Sequence, residues 1–349
     1  MPSSPSRLSR EIHAQPDVLT RLLDEQSAAA ARIAAAIRER GVCYAVFAAR
    51  GTSDNAARYA QYLFGALNRM QVALATPSLF SIYKAPPRLK EALVLGVSQS
   101  GQTPDIVSVI EEGRRQGALT VAVTNAPDAP LAQAAEFVLP LAVGEEQAVA
   151  ATKTYTGQLA ALALLAAHLA DDHHRLEELG QVPDAVQAAL TLEEAVAHAA
   201  QRYAHVEECV VIGRGYNYAT AYEIALKLKE LAYVVAEPYS SADFRHGPVA
   251  IVERGFPVVV VAPHGQVYED VLALTEKLAD RDAELMVISD QDAALEAARV
   301  PLRLPAPLPE WLSPFSCIVP GQLLALHATL AKGYDPDHPR GLTKVTKTR

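Results

Sequence analysis

Three blocks in the first half of the chain recur, in the same order, in the second half. AVFAARGTSDNAARYA (Ala45–Ala60) lies over VVIGRGYNYATAYEIA (Val210–Ala225). In both, an apolar run ends in Arg-Gly and a polar loop leads into a helical pattern. LVLGVSQSGQT (Leu93–Thr103) matches VVVVAPHGQVY (Val258–Tyr268), and TVAVTNAPDAPLAQAAEFVLPL (Thr120–Leu141) parallels MVISDQDAALEAARVPLRLP (Met286–Pro305). Three matched blocks in one order point to a duplicated unit and constrain the fold to two similar halves.

Each block opens on a near-continuous apolar run: Cys43–Ala48, Leu93–Val97, Leu119–Val123 and Phe137–Leu141, then Cys209–Ile212, Pro257–Val261, Leu285–Ser289 and Val300–Leu304. Runs of this kind, separated by stretches of helical length, predict parallel strands covered by helices on both faces. The expected class is α/β, with two tandem domains, each a three-layer sandwich of flavodoxin-like type. The expected boundaries are 34–174 and 201–339, followed by a polar tail at 340–349. Asp171–Gln201 reads as a helical connector with a stop at Gly180 and a start near Pro183. A Pro-rich segment, Pro305–Pro314, precedes a helix expected over about Gly321–Lys332.

At 349 residues the chain has length for about two domains. Its formal net charge of −9 and pI near 5.6 argue against a nucleic-acid partner, which needs a concentrated basic face. Cys43, Cys209 and Cys317 are too few and too scattered for a disulfide framework, a zinc knuckle or a redox pair, which fits a reduced cytoplasm. MPSSPSRLSREIHAQPDVL has no apolar core of a signal peptide. Leu159–Ala170 is apolar but short for a bilayer and carries His168, so it reads as a buried core helix and no membrane partner is expected.

The sharpest local signal is Ser98-Gln99-Ser100-Gly101-Gln102-Thr103, between a strand and a helix opening near Pro104. In open α/β sheets ligands bind beyond the carboxyl ends of the strands. A Ser/Thr/Gly loop there aims amides and hydroxyls at one point and holds a phosphate without Lys or Arg. A polar turn that merely caps the helix fits the same hexapeptide. Gly51-Thr52-Ser53-Asp54-Asn55 ends the first strand of the same half, and Ser53 reads as a helix cap, a phosphate hydroxyl, or both. Glu146–Lys153 opens the apolar helix, with Thr152 or Thr154 near its start, and offers backbone contacts to a ligand. In the second half Lys227 and Glu230 share a helix face, where a solvated ion pair is the ordinary meaning. Glu237, Tyr239, Ser240, Ser241, Asp243 and His246 form a polar run ending in His246-Gly247-Pro248. Neither a Walker loop, a dinucleotide fingerprint nor a GxSxG elbow occurs, and His173-His174 lacks ligand spacing, so no metal or nucleotide cofactor is expected.

Taken together, ARGTSDN, VSQSGQTPD, EEQAVAATKTYTGQLA, EIALKLKELAYVVAEPY, FRHGP and DPDHPRGLTKVT, in this order, resemble the tandem sugar-isomerase (SIS) family. The likeness is to the isomerase half of glucosamine-6-phosphate synthase and to stand-alone SIS-type glucosamine-6-phosphate deaminases, and it covers nearly the whole chain. It implies that Ser53, Ser98, Gln99, Ser100 and Thr103 bind the sugar phosphate, with Gly51, Thr52 and the backbone of Val149 lining the sugar. It implies that Glu230 moves a proton between C1 and C2 beside Lys227, and that His246 assists ring opening from the partner subunit of a homodimer. Lys344 would close on an open-chain ketose as a Schiff base. No metal, nicotinamide or flavin is implied.

Two departures bear on the expectation. Ala151 stands where the synthases usually carry Ser, and no glutaminase half with its cysteine nucleophile precedes the first domain. The expected activity is therefore glucosamine-6-phosphate deamination to fructose 6-phosphate and ammonia. The alternatives are an ammonia-dependent synthase, a deaminase or isomerase for a related sugar such as galactosamine 6-phosphate, and a non-catalytic sugar-phosphate regulator. The regulator reading is disfavoured because Glu230, His246 and Lys344 are all present and the first forty residues are too short for a DNA-binding module.

Overall fold

The computed structural model describes residues 5–344. It contains two five-stranded, all-parallel sheets. The first is built from β1 (Tyr44–Ala48), β2 (Gln71–Leu74), β3 (Ala92–Ser98), β4 (Leu119–Thr124) and β5 (Phe137–Pro140) in the order β2-β1-β3-β4-β5. The second uses β6 (Glu208–Gly213), β7 (Val235–Ser240), β8 (Pro257–Val261), β9 (Glu284–Ser289) and β10 (Val300–Arg303) in the order β10-β9-β8-β6-β7. Numbered within its own half, each sheet has the flavodoxin-like order 2-1-3-4-5. Register agrees as well: Val46 lies opposite Val94, and Val211 opposite Val259. The fold is α/β, duplicated as the sequence blocks require.

Alternating side chains on the central strands feed both faces of each sheet, which is why these strands read as unbroken apolar runs. In the first sheet Val46, Val94 and Ala122 pack against Ile106, Ile110 and Leu131, while Phe47 meets Phe64 edge-on at 5.5 Å on the opposite face. In the second, Val210, Val258 and Leu285 pack against Val271, Leu274 and Leu278. The apolar helix Lys153–Ala170 is buried along almost its whole length, the fate of a helix apolar on every side.

Two strands escaped the sequence reading, β2 and β7, and they occupy the same edge position in the two sheets. Each has one side exposed, with burial alternating along the strand. An edge strand half in water lacks the continuous apolar run that marks its neighbours, and β7 also contains Pro238, which an edge tolerates. The last helix also differs from expectation. It runs over Ser313–Ala331, eight residues earlier than read, with Pro314 in its first turn and Pro320 inside it. An internal proline removes one helix hydrogen bond, and here the helix core position outweighs that cost. The segment Glu310–Ala331 is long and apolar enough to cross a membrane, yet 83% of its most apolar 18-residue stretch is buried inside the protein, as in a core helix.

The connector forms helices His173–Leu179, Val182–Leu190 and Glu193–Arg202, with Gly180 closing the first and Pro183 opening the second. By backbone contacts the chain divides into two compact units. One holds the first sheet: residues 17–146 and 153–180, with the tail from 343. The other holds the second sheet: residues up to 16, 147–152 and 181–342. Of the polar tail placed at 340–349, residues 345–349 lie outside the described residues.

Candidate active site

In the first sheet the chain builds outward in both directions from β1 and β3, so the loops leaving their carboxyl ends flank the crevice where doubly wound folds take ligands. Ser98 ends β3. Its Oγ accepts the Gly101 N–H at 3.1 Å, and Ser100 Oγ accepts the Gln102 N–H at 3.3 Å. Both hydroxyls act as acceptors inside the loop, which leaves their O–H bonds able to donate outward. Gly101 sits at φ +61°, and a Cβ there would stand 2.8 Å from Ala129 Cβ, so only glycine closes this turn. The next loop fixes it further, because Asn125 N–H and Thr124 Oγ1 both donate to Gln99 O.

Thr103 is the N-cap of the helix Pro104–Arg115, but its side chain makes no cap hydrogen bond. The helix thus begins with Pro104, which has no N–H to satisfy, and with a threonine hydroxyl not used in capping. The turn is therefore not a plain side-chain-capped helix start.

The β1 loop corrects one expectation. The N-cap of the helix Thr52–Asn68 is Gly51, at φ +53°, and Ser53 is not a cap. It lies one residue into the helix, buried, and its Oγ accepts a 2.8 Å hydrogen bond from Gln158 Nε2. Arg50, just before Gly51, donates twice to Asp105 Oδ2, at 2.9 and 2.7 Å; the Asp105 side chain is fully buried.

The irregular stretch after β5 places Glu146 against the phosphate-type loop. Its carboxylate is wholly buried. Oε1 accepts the Thr154 N–H at 3.0 Å, while Oε2 accepts from Gln99 Nε2 at 3.2 Å and from Lys344 Nζ at 2.9 Å. The unit of the first sheet thereby brings Gly51, Thr52, Ser53, Ser98, Gln99, Ser100, Thr103 and Lys344 into one body, with Gln99 and Lys344 joined through a single carboxylate.

Val149, Lys227, Glu230 and His246 belong to the other unit. The helix Asn217–Lys227 passes directly into a π-helical turn, Leu228–Ala232, which carries Glu230 and ends at Tyr233 with φ +55°. Such turns are rare and widen a helix locally. Lys227 Nζ is 2.5 Å from Glu230 Oε2 and 3.5 Å from Glu223 Oε1. Lys227 and Glu223 are buried (1% and 0% exposed), whereas Glu230 is 25% exposed. The pair is therefore not the solvated surface bridge that spacing alone suggests: a buried ammonium aims a partly accessible carboxylate. Val149 lies on a loop held by Glu11, which accepts the N–H groups of Gln147 (2.5 Å) and Ala148 (3.2 Å), and by Gln322, which donates to Thr152 O. His246 is exposed in the turn after the helix Ser241–Arg245.

Four side chains take roles the sequence does not assign them: Glu146, Glu223, Gln158 and Asp105. Only Glu223 had a local signal, its spacing of four from Lys227 on the same helix. The others act across gaps of tens to hundreds of residues.

A duplicated flavodoxin-like domain, with a hydroxyl-bearing loop at the switch point of the first copy, defines a class of α/β proteins that hold small anionic ligands. The SIS domain family profile matches residues 44–168 and 203–332. The chain belongs to the SIS domain family. It is 36% identical over 355 residues to a glutamine–fructose-6-phosphate aminotransferase [isomerizing] from Gloeobacter violaceus, an alignment covering 96% of this chain and 57% of that protein. The chain thus spans a little over half the length of the curated relatives it matches. Among solved structures, a protein assigned provisionally as a phosphosugar isomerase from Silicibacter pomeroyi superposes with a TM-score of 0.87 at 35% identity, covering 95% of this chain and 100% of that one. A glucosamine-6-phosphate deaminase from Thermotoga maritima shares the fold, with a TM-score of 0.79 at 21% identity over 98% of this chain and 100% of that one.

Proposed function

We propose that the protein is a phosphosugar isomerase and, within that class, a glucosamine-6-phosphate deaminase that yields fructose 6-phosphate and ammonia. The observation that carries the reading is the loop Ser98–Thr103: hydroxyls and a helix N-terminus converge at the switch point, and Thr103 is not used as a side-chain cap. Such a loop suits a phosphate remote from the reacting carbons, which fixes the substrate without taking part in bond changes.

The chemistry then needs a base at the C1–C2 edge. Glu230, aimed by Lys227, takes a proton from C2 and returns it to C1 while O1 gains a proton and the amine nitrogen gives one up, converting the aldehyde and amine through an enolamine to a ketimine. Water adds to the imine carbon and ammonia leaves. His246 assists ring opening and is contributed by the partner subunit of a homodimer. Deamination requires only water as co-substrate, whereas synthesis from glutamine requires a reactive thiolate.

A second reading, amination of fructose 6-phosphate by free ammonia, is favoured by the 36% identity to an aminotransferase. Ammonia and fructose 6-phosphate are to be assayed with glucosamine 6-phosphate, galactosamine 6-phosphate and the reverse pair. Release from glucosamine 6-phosphate, lost on the order of a thousandfold in Glu230→Gln, is expected. No turnover by the wild type, or full turnover by Glu230→Gln, overturns the reading. Mixing Glu230→Gln with His246→Ala should restore part of the activity if sites are shared between subunits.

A further inference from the structure

Glu146 is a carboxylate with no exposed side-chain surface, and a buried charge of this kind is costly unless compensated. The neighbouring cation does not compensate it: Lys153 Nζ donates instead to Glu145 O at 2.5 Å. The charge that meets Glu146 comes from 198 residues away, the Lys344 ammonium at 2.9 Å, itself 26% exposed. The same oxygen accepts from Gln99 in the phosphate-type loop, and the other is fixed by the Thr154 N–H at the start of the helix Lys153–Ala170. Rigid backbone and loop contacts therefore hold the carboxylate in place, and the carboxylate holds the lysine amine next to the loop.

We propose that Glu146 is a positioning residue, the counter-ion that holds the Lys344 amine beside the sugar-phosphate loop and neutralises the iminium formed when that amine condenses with a ketose carbonyl. The inference rests on the proposed sugar-phosphate site. In the step, a proton passes from Lys344 Nζ to Glu146. The freed lone pair forms an N–C bond to the carbonyl carbon as the C=O π pair moves to oxygen, and the nitrogen's proton transfers there to give a carbinolamine. Glu146 returns its proton to the departing hydroxyl, which leaves as water, and the nitrogen pair forms the C=N bond. The positive charge carried by the ammonium at the outset resides on the iminium at the end, so one buried carboxylate balances both states without rearrangement.

The test has one arm that needs no sugar. Acetylation of Lys344 at fixed pH, followed by peptide mass spectrometry, should run at least fivefold faster in Glu146→Gln than in the wild type, because the amine loses its anionic partner. Equal rates overturn the inference. In the second arm the 349-residue chain is incubated with fructose 6-phosphate and reduced with borohydride. The wild type should carry the reduced adduct on Lys344, and Glu146→Gln at least tenfold less. Glu146→Asp, which keeps the charge one methylene short, should retain an intermediate amount and guards against a folding defect in the Gln variant. Equal labelling in Glu146→Gln and wild type overturns the inference. A wild type that releases ammonia from glucosamine 6-phosphate but is never labelled overturns it and leaves the proposed activity standing. A wild type that neither turns over nor binds the sugar phosphate overturns both.

Discussion

The two SIS domains share strand order and register yet finish their switch-point loops in opposite ways. In the first, the loop amides of Gly101 and Gln102 are accepted by serine hydroxyls, which can still donate to an incoming oxyanion. In the second, the corresponding loop begins with Pro263, which has no N–H. The His264 N–H goes to Asp290 Oδ1 at 2.8 Å, and the Gln266 and Val267 N–H groups go to Glu310 at 2.9 and 3.3 Å. Carboxylates have no proton to offer. The first loop's amides are thus tied by hydroxyls, and the second loop's by its own acidic side chains. The scaffold is common to both, and function is decided by a handful of loop residues.

What the copies keep in common is equally instructive. Arg50, at the end of β1, pairs with Asp105 in the first turn of the helix after β3; Arg214, at the end of β6, pairs with Asp270 in the first turn of the helix after β8. The pair persists where the loop amides go to carboxylates. Arg50–Asp105 thus braces a strand end against a helix start, as Arg214–Asp270 does in the other copy.

The largest effect that could break this contrast is expected at the loop glycines. Gly101→Ala forces a Cβ to φ +61° and to within 2.8 Å of Ala129. The combined strain and overpacking is about 3 kcal/mol, so sugar-phosphate affinity should fall roughly a hundredfold by calorimetry. Gly265→Ala meets Glu310 Cδ at 2.4 Å instead. It should lower thermal stability and leave KM unchanged. If both raise KM alike, the second loop also belongs to the substrate site. Next in size, Ser98→Ala removes an outward-donating hydroxyl and should weaken binding about tenfold, the value of one hydrogen bond to a charged group. Smaller again, Glu310→Ala leaves two backbone N–H groups without their acceptor and should cost about 1–2 kcal/mol in denaturant unfolding with KM unchanged.

The sequence carried the duplication, eight of the ten strands and the hydroxyl loop, because each is written in contiguous residues: apolar runs, matched blocks, a hexapeptide between strand and helix. β2 and β7 were lost because an edge strand in water has no continuous apolar signature. Ser53 was misread as a possible cap because Gly51, with its positive φ, takes that position by backbone geometry. Glu146 was passed over for a different reason. Its neighbours suggested only backbone contacts, and its partners Gln99 and Lys344 are brought to it by the tertiary fold. The acidic tie on the second loop was hidden likewise, since Glu310 lies more than forty residues beyond the amides it accepts.

The smallest expected effect concerns acid and separates the two braces. Asp105 faces one arginine, whereas Asp270 accepts from Arg214 Nη1 and Arg245 Nη1, each at 2.6 Å, and from Ser241 Oγ. Burial tends to raise the Asp270 carboxyl, but the hydrogen bonds from Ser241 and Arg245 and the charges of Arg214 and Arg245 hold it below the ordinary carboxylate value. A carboxyl lowered by folding binds fewer protons in the folded chain than in the unfolded one. Its stabilisation is complete above the unfolded value and is lost as pH falls through the folded one. Asp270→Asn should therefore be less stable than the wild type near neutral pH by under about 1 kcal/mol, since the cluster is partly exposed. That gap should narrow between about pH 5 and about pH 3. Urea unfolding across this range measures it. A gap that stays constant or widens in acid would mean that the two arginines do not hold Asp270 in its charged form, and the second brace would then be no stronger than the first.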